Sequence, residues 1–332
     1  MPETPDRPAP SPQPKRVFML GATGTIGKAT AAALVARGHS VTCFVRPRHT
    51  RAALPDGVVV RYGDVSDPAS IARDGFGTDR FDAVVSCLAS RTGAPKDAWA
   101  IDHKAHVDVL AAAQKAGATQ MVLLSAICVQ RPMLSFQQAK LAFEAALIES
   151  GMTYSIVRAT AFFKSLSGQI DRVRQGKPFL VFGTGRLTAC KPISDDDLGA
   201  FLADSLDDPA RKNRILPIGG PGPAITPREQ ADHLFGLLGK PPKVKEVPVA
   251  LLDAIIAVLS LLGRVVPKLR DKAELARIGR YYATESMLVL DPVTGRYDAD
   301  ATPESGSDTL FEFYARVLRG EAQVDRGDHA VF

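Results

Sequence analysis

The stretch from Val17 to Gly27, Val-Phe-Met-Leu-Gly-Ala-Thr-Gly-Thr-Ile-Gly, constrains the chain more than any other, because an apolar run breaks into three glycines and an Ala-rich segment follows up to Gly38. The pattern reads as a strand, a turn and a helix N-terminus. Backbone N–H groups and the helix dipole at such a junction hold a pyrophosphate. Gly21 allows the tight turn, Gly24 lets the backbone approach phosphate, and Gly27 lets the helix pack against the strand. Thr23, Thr25 and Ile26 lie between them and complete the candidate dinucleotide site. The spacing G-x-x-G-x-x-G departs from the common G-x-G-x-x-G, and the alternative is a glycine turn with no ligand.

The next strand, Val41 to Val45, ends in Arg46-Pro47-Arg48, where an acidic residue would bind the ribose 2′-hydroxyl of NAD. Guanidinium groups suit a 2′-phosphate, so NADPH is the expected cofactor. Arg51 or Arg61 is a candidate to share that role, and Asp64, after the third strand, is a further cofactor-binding candidate. The alternative is a pair of solvated arginines.

A chain of 332 residues, 45% hydrophobic, can bury a large core and is long enough for a second lobe. Runs at Val58 to Tyr62, Ala83 to Cys87, Met121 to Ser125 and Tyr154 to Arg158 lack polar alternation, as strands buried on both faces do. Helical stretches lie between them, at about Trp99 to Ala116 and Ser135 to Ser150. The fold class is therefore α/β, a Rossmann-type doubly wound parallel sheet. Residues 16–160 form the NADP-binding part, with a late strand near 214–218. Residues 161–190 and 219–332 form a smaller substrate lobe. There the segment Pro178 to Gly185 reads as hairpin-like, and Thr226-Pro227-Arg228-Glu229 opens a helix that runs to about Leu238. Leu251 to Leu262 is a strongly apolar helix followed by Arg264, Lys268, Arg270 and Lys272. Packing in the lobe core is its first reading; contact with a membrane surface or cover for an apolar substrate is the other.

Cys43, Cys87, Cys128 and Cys190 have no C-x-x-C spacing and read as small core residues in a reducing compartment. A net charge of +5 without clustered basic runs and interleaved aromatics gives no case for nucleic acid. Residues 1–15 read as a disordered Pro-rich tail with no signal-peptide core, and the expected location is cytoplasmic. The longest apolar stretch, Val249 to Val266, is broken by Asp253, Gly263 and Arg264.

In short-chain dehydrogenases a Ser ends the fifth strand, and a Y-x-x-x-K on the next helix protonates a carbonyl. Here Ser125 and Lys140 stand in those places, but the tyrosine position holds Phe136. A phenyl ring donates no proton, which excludes ordinary carbonyl chemistry through that residue. Lys140 remains able to hold the nicotinamide ribose.

The segments Leu124 to Pro132, Phe136 to Lys140, Phe162 to Leu166, Lys191 to Leu198, Glu285 to Leu290 and Tyr297 to Glu304 resemble those of the divinyl chlorophyllide 8-vinyl reductases, atypical short-chain dehydrogenases, and the likeness covers nearly everything after the tail. The resemblance implies NADPH-dependent reduction of the 8-vinyl group of a divinyl chlorophyllide or protochlorophyllide to ethyl. It implies a magnesium tetrapyrrole as substrate partner; the expected location stays cytoplasmic, with peripheral contact between the lobe and a photosynthetic membrane left as an open alternative. The scattered cysteines argue against an iron–sulfur route to the same product.

Within that reading Lys140 fixes the cofactor and Ser125 lines the site. Phe136, Phe162 and Phe163, with Phe179 and Phe182, are candidate walls of a flat apolar slot. Arg158, Lys164 or Arg186 is the candidate partner for the pigment carboxylate. His103 and His106 are conceivable magnesium contacts, but no protein metal site is expected, since the spacing is wrong. The competing readings are an NADPH reductase of another conjugated alkene and a dinucleotide-binding regulator that has no catalytic activity.

Overall fold

Seven strands that pair only in parallel form the spine of the molecule. They are β1 (Arg16–Leu20), β2 (Ser40–Val45), β3 (Val59–Tyr62), β4 (Ala83–Ser86), β5 (Gln120–Ala126), β6 (Thr153–Ala159) and, past a short seventh strand, β8 (Arg214–Ile218). Their order in the sheet is β3-β2-β1-β4-β5-β6-β8. The direction of winding reverses between β1 and β4, and ligands bind at the carboxyl ends of strands beside such a switch point. The computed structural model describes residues 13–47, 54–266 and 268–324. Most of the expected tail, and Arg48 and Arg51 with it, lies outside the described residues.

Both faces of the sheet are covered, which is why its central strands are apolar without alternation. Val17, Met19, Val85 and Val122 point to one side, where they meet α1 (Thr25–Ala36) and a later helix, Asp195–Asp207. Phe18, Leu20, Val84 and Met121 point to the other, against α2 (His106–Lys115) and α3 (Ser135–Glu149). Phe18 stacks on Phe76 at 4.0 Å between centroids, and Phe81 closes on both rings edge-on. Burying such a side chain contributes about 1.5–3 kcal/mol, so the sheet interior dominates the stability. Numbering Asp195–Asp207 as α4, the Ser194 hydroxyl caps its N-terminus by accepting from the Asp197 N–H.

A third apolar cluster lies beyond the carboxyl ends of the strands and draws on Phe163, Phe179, Phe235, Tyr281 and Tyr314. The residues around Phe179 do not form a hairpin. Strand β7 (Phe179–Phe182) pairs in parallel with β9 (Val244–Val247), and Gly183 and Gly185 take the left-handed turn that follows it. Between the two strands, α5 (Pro227–Leu237) starts with the expected reciprocal cap: Thr226 accepts from the Glu229 N–H, and Glu229 accepts from the Thr226 N–H. Two helices, α6 (Val249–Leu262) and α7 (Lys268–Thr284), then form an antiparallel arm, and α8 (Leu310–Arg319) closes the lobe.

The apolar helix is not packed in the lobe core. No residue of α6 is buried, and Leu251, Val258, Leu261 and Leu262 are each half exposed or more. Like every helix among the described residues, it is not long and apolar enough to cross a bilayer. The four cysteines are all free. Burial pushes the thiols of Cys43, Cys87 and Cys190 up to about 12, so they stay protonated and unreactive.

Candidate active site

The glycine turn follows β1 directly, and its geometry explains two of its three glycines. Gly21 has φ +74° and sits so close to the next strand that a Cβ would lie 2.4 Å from the Cys87 carbonyl carbon. A Cβ on Gly27 would lie 2.1 Å from the Gly21 oxygen, so only glycine lets the start of α1 close onto the turn. Gly24 is unhindered: its nearest neighbour would be Gly21 O at 3.6 Å. No side chain caps α1, which leaves its first amides without intrahelical partners. The Thr25 hydroxyl is buried there and has no hydrogen-bond partner. Unpaired donors at a helix N-terminus fit a pyrophosphate.

A cleft continues from the turn over the ends of β2 and β3. Its lining includes Gly21, Ala22, Thr23, Val45, Arg46, Gly63, Val65 and Leu88. Arg46 is exposed at its mouth. Asp64 lies between two lining residues, and its carboxylate accepts from the Ser66 N–H at 2.8 Å. Arg61 does not share in this cleft. Its guanidinium donates to the carbonyls of Gly75 and Phe76 and pairs with Asp79, which corrects its reading as a phosphate ligand.

The cleft leads to Lys140 through a chain of backbone and side-chain contacts. Gly21 abuts Cys87 and Leu88; two residues on, the Ser90 N–H donates to Asp102 at 3.2 Å; the same Asp102 oxygen lies 3.0 Å from Lys140 Nζ. Asp102 is fully buried and Lys140 nearly so. The second carboxylate oxygen of Asp102 is buried without a partner. Neither Asp102 nor its pairing is readable from sequence, because it comes from Trp99–Ala105, the wider helical turn before α2, whereas Lys140 is on α3.

Phe136 and Lys140 lie one turn apart on α3 and so share a face. Phe136 is 9% exposed and packs beside Gly93 together with Ile278 of α7. The start of α3 is locked by Gln137, whose amide accepts from the Met133 and Leu134 N–H groups and donates to the Cys128 carbonyl. Tyr281 donates to the same carbonyl at 2.9 Å. Burial raises the Tyr281 phenol, and also that of Tyr282, well above its usual range.

The comparisons agree with this geometry. An NAD(P)H-binding family model matches residues 21–209, a span that holds the glycine turn, the cleft and Lys140. Across 97% of the chain, it is 48% identical to the divinyl chlorophyllide a 8-vinyl-reductase of Oryza sativa subsp. indica, and 83% of that protein is covered. The chain belongs to the divinyl chlorophyllide a 8-vinyl-reductase family. Among solved structures it resembles the NADPH complex of a quinone oxidoreductase from Escherichia coli, at TM-score 0.63 and 18% identity over 91% of this chain and 99% of that one. It also resembles the Bordetella bronchiseptica enzyme WbmG with NAD, at TM-score 0.67 and 17% identity over 97% and 98%. These two likenesses speak to the fold alone.

For a member of the vinyl-reductase family, several of the residues expected at the pigment or the reacting centre lie elsewhere. The Ser125 hydroxyl donates to Glu144 at 2.5 Å, and Glu144 also holds Arg158 through Nε at 3.2 and 3.3 Å. Ser125 is thus tied below the site, and Arg158 is committed to a buried carboxylate instead of facing a propionate. Phe163 and Phe179 belong to the buried lobe cluster, Phe163 lying 5.5 Å from Phe313, so neither lines an open slot. Phe162 is only partly buried and bridges to Ile193 at the end of β6. Of the cations, Lys164 is half-buried and Arg186 exposed, and neither has a carboxylate within 4.0 Å among the described residues.

His106 is a structural residue. Its Nδ1 faces the Ile101 carbonyl and its Nε2 faces the Ser86 hydroxyl, both at 2.8 Å. Burial, helped by the charge of Lys140, lowers its pKa to about 4, so the ring is neutral with the proton on Nδ1. His103 packs edge-on against Trp99. Among the described residues no cluster of His, Cys, Asp and Glu is arranged to hold a metal ion.

Proposed function

We propose that this chain reduces the 8-vinyl group of a divinyl chlorophyllide or protochlorophyllide to ethyl, with NADPH as the reductant, in the cytoplasm and beside the membrane that carries the pigment pathway. The observation that carries the reading is the 48% identity to a vinyl reductase, spread over 97% of the chain. The geometry supports it through what stands beside Lys140. Reduction of a carbonyl develops an alkoxide that needs a proton donor at hand, and Phe136 supplies none. A vinyl group conjugated to a macrocycle spreads the charge left by hydride addition over many atoms, so orientation is the protein's main task.

When bound, NADPH would supply the hydride for the terminal vinyl carbon, with solvent supplying the proton that completes the ethyl group. The chain's own residues hold the partners in place. The α1 amides and Thr25 are suited to the pyrophosphate, Arg46 to the 2′-phosphate, and Lys140, steadied by Asp102, to the nicotinamide ribose. Phe162, only partly buried, offers apolar surface to the macrocycle, while Phe136 packs in the lobe cluster, and Lys164 or Arg186 offers a cation to its carboxylate.

Purified protein mixed with divinyl protochlorophyllide and NADPH, without ferredoxin, is the direct test. The expected result is the 8-ethyl pigment on chromatography, lost with Lys140→Ala. Bound NADPH with no pigment conversion would turn the reading toward another conjugated alkene or a regulator. The preference for NADPH rests on Arg46, and Arg46→Ala is expected to raise the KM for NADPH roughly tenfold while leaving that for NADH unchanged.

A further inference from the structure

The polarity of α6 is inverted. Its two polar side chains, Asp253 and Ser260, lie two turns apart on one face, and that face is turned toward α7: Asp253 pairs with Arg280, and Ser260 accepts from Arg277 at 2.7 Å. Leu251, Ile255, Val258 and Leu262 follow at helical spacing on the opposite face, and each is between 39% and 56% exposed. Val265, at 84% exposure, extends this surface past the end of the helix. Isolated exposed apolar residues are ordinary, but a continuous ridge on a helix whose polar side chains are paired to its neighbour is not.

The charge around the ridge is predominantly basic. Segment 240–272 carries seven basic and three acidic residues. One of the three acids, Asp253, is already paired inside the arm. Arg264, Lys268 and Lys272, just beyond the ridge, are exposed and have no carboxylate within 4.0 Å among the described residues. Lys240, Lys243 and Lys245, just before it, are likewise exposed and without such a partner. An apolar ridge flanked by unpaired cations matches an anionic lipid surface, where the ridge enters the acyl boundary and the cations meet the headgroups. A helix of 14 residues lies in such an interface and does not span it.

We propose that the α6–α7 arm docks this protein on an anionic bilayer, with α6 lying along the membrane surface. Docking there links the bilayer to the site, since Ile278 of α7 packs with Phe136 against Gly93. The proposal stands independently of the reaction and is tested without pigment. Full-length protein is floated with vesicles of phosphatidylcholine alone and of phosphatidylcholine with phosphatidylglycerol. The expected result is flotation with the anionic vesicles only, weakened by salt, and reduced at least roughly tenfold in Val258→Glu/Leu262→Glu. The circular dichroism and NADPH affinity of that variant should match the parent, because both side chains are exposed. Lys268→Glu/Lys272→Glu should reduce flotation as well. Absence of the parent from the floated fraction, or equal flotation of the Glu variant, would overturn the proposal. So would a parent dimer that the Glu variant dissociates with no vesicle binding, since a second copy would then cover the ridge.

Discussion

At the scale of single residues, the candidate site depends on side chains and glycines with fixed neighbours. In Gly27→Ala the new methyl meets the Gly21 carbonyl at the mouth of the candidate pyrophosphate site. NADPH affinity is expected to fall at least roughly tenfold by fluorescence titration, with the circular dichroism spectrum retained. Arg158→Met separates two readings of one residue. If the guanidinium serves Glu144, its loss leaves a buried carboxylate unpaired and costs about 3–5 kcal/mol in urea unfolding, with the pigment KM nearly unchanged. A large rise in KM at unchanged stability would return Arg158 to the substrate. His106 makes a prediction about pH. Its folded pKa, about 4, lies below its unfolded value, so the unfolded chain binds the extra proton first as pH falls. Its contribution to stability is complete above about pH 6.5 and is lost as pH drops toward 4, about 2 kcal/mol between pH 7 and 4.5. Unfolding free energies of His106→Asn should show that much less fall over the same range; an unchanged pH slope would contradict it.

At the scale of elements, the parts of the site legible in the sequence were those set by local backbone physics. The glycine turn, the capped start of α5 and the strand cores each follow from neighbouring residues, and each stands where the sequence puts it, within a residue or two. What was not legible depends on which elements meet. Ser125 and Arg158 are adjacent across β5 and β6, and a single carboxylate from α3 takes both. The parallel β7–β9 pair spans more than sixty residues of chain, and a short apolar run bounded by glycines cannot announce a partner so distant. The tie between Asp102 and Lys140 is of the same kind and can be tested. Asp102→Ala strands a nearly buried ammonium; NADPH affinity is expected to fall roughly tenfold, and Asp102→Asn to recover part of it by restoring an acceptor. Equal affinities in all three proteins would remove Asp102 from the positioning of Lys140.

At the scale of the whole molecule, the sheet presents its carboxyl ends to a lobe built from distant segments, and the candidate site runs from the cleft over those ends to Lys140 and Phe136, which packs with Ile278 of the lobe. Pattern in the sequence anticipated the sheet, because burial on both faces imposes continuous apolar runs. The sequence left two readings of α6 open, since high hydrophobicity marks a core helix and a surface-seeking helix alike, and only the orientation of Asp253 and Ser260 tells them apart. This chain alone, with a nicotinamide cofactor and without an iron–sulfur partner, is expected to deliver hydride to a vinyl group. Incubation with divinyl protochlorophyllide and NADPH deuterated at C4, in each stereochemical form separately, tests it directly by mass spectrometry of the pigment. The expected result is an 8-ethyl product carrying a single deuterium on its terminal carbon from one of the two forms. An unreduced pigment, or an ethyl product free of deuterium from both, would contradict it.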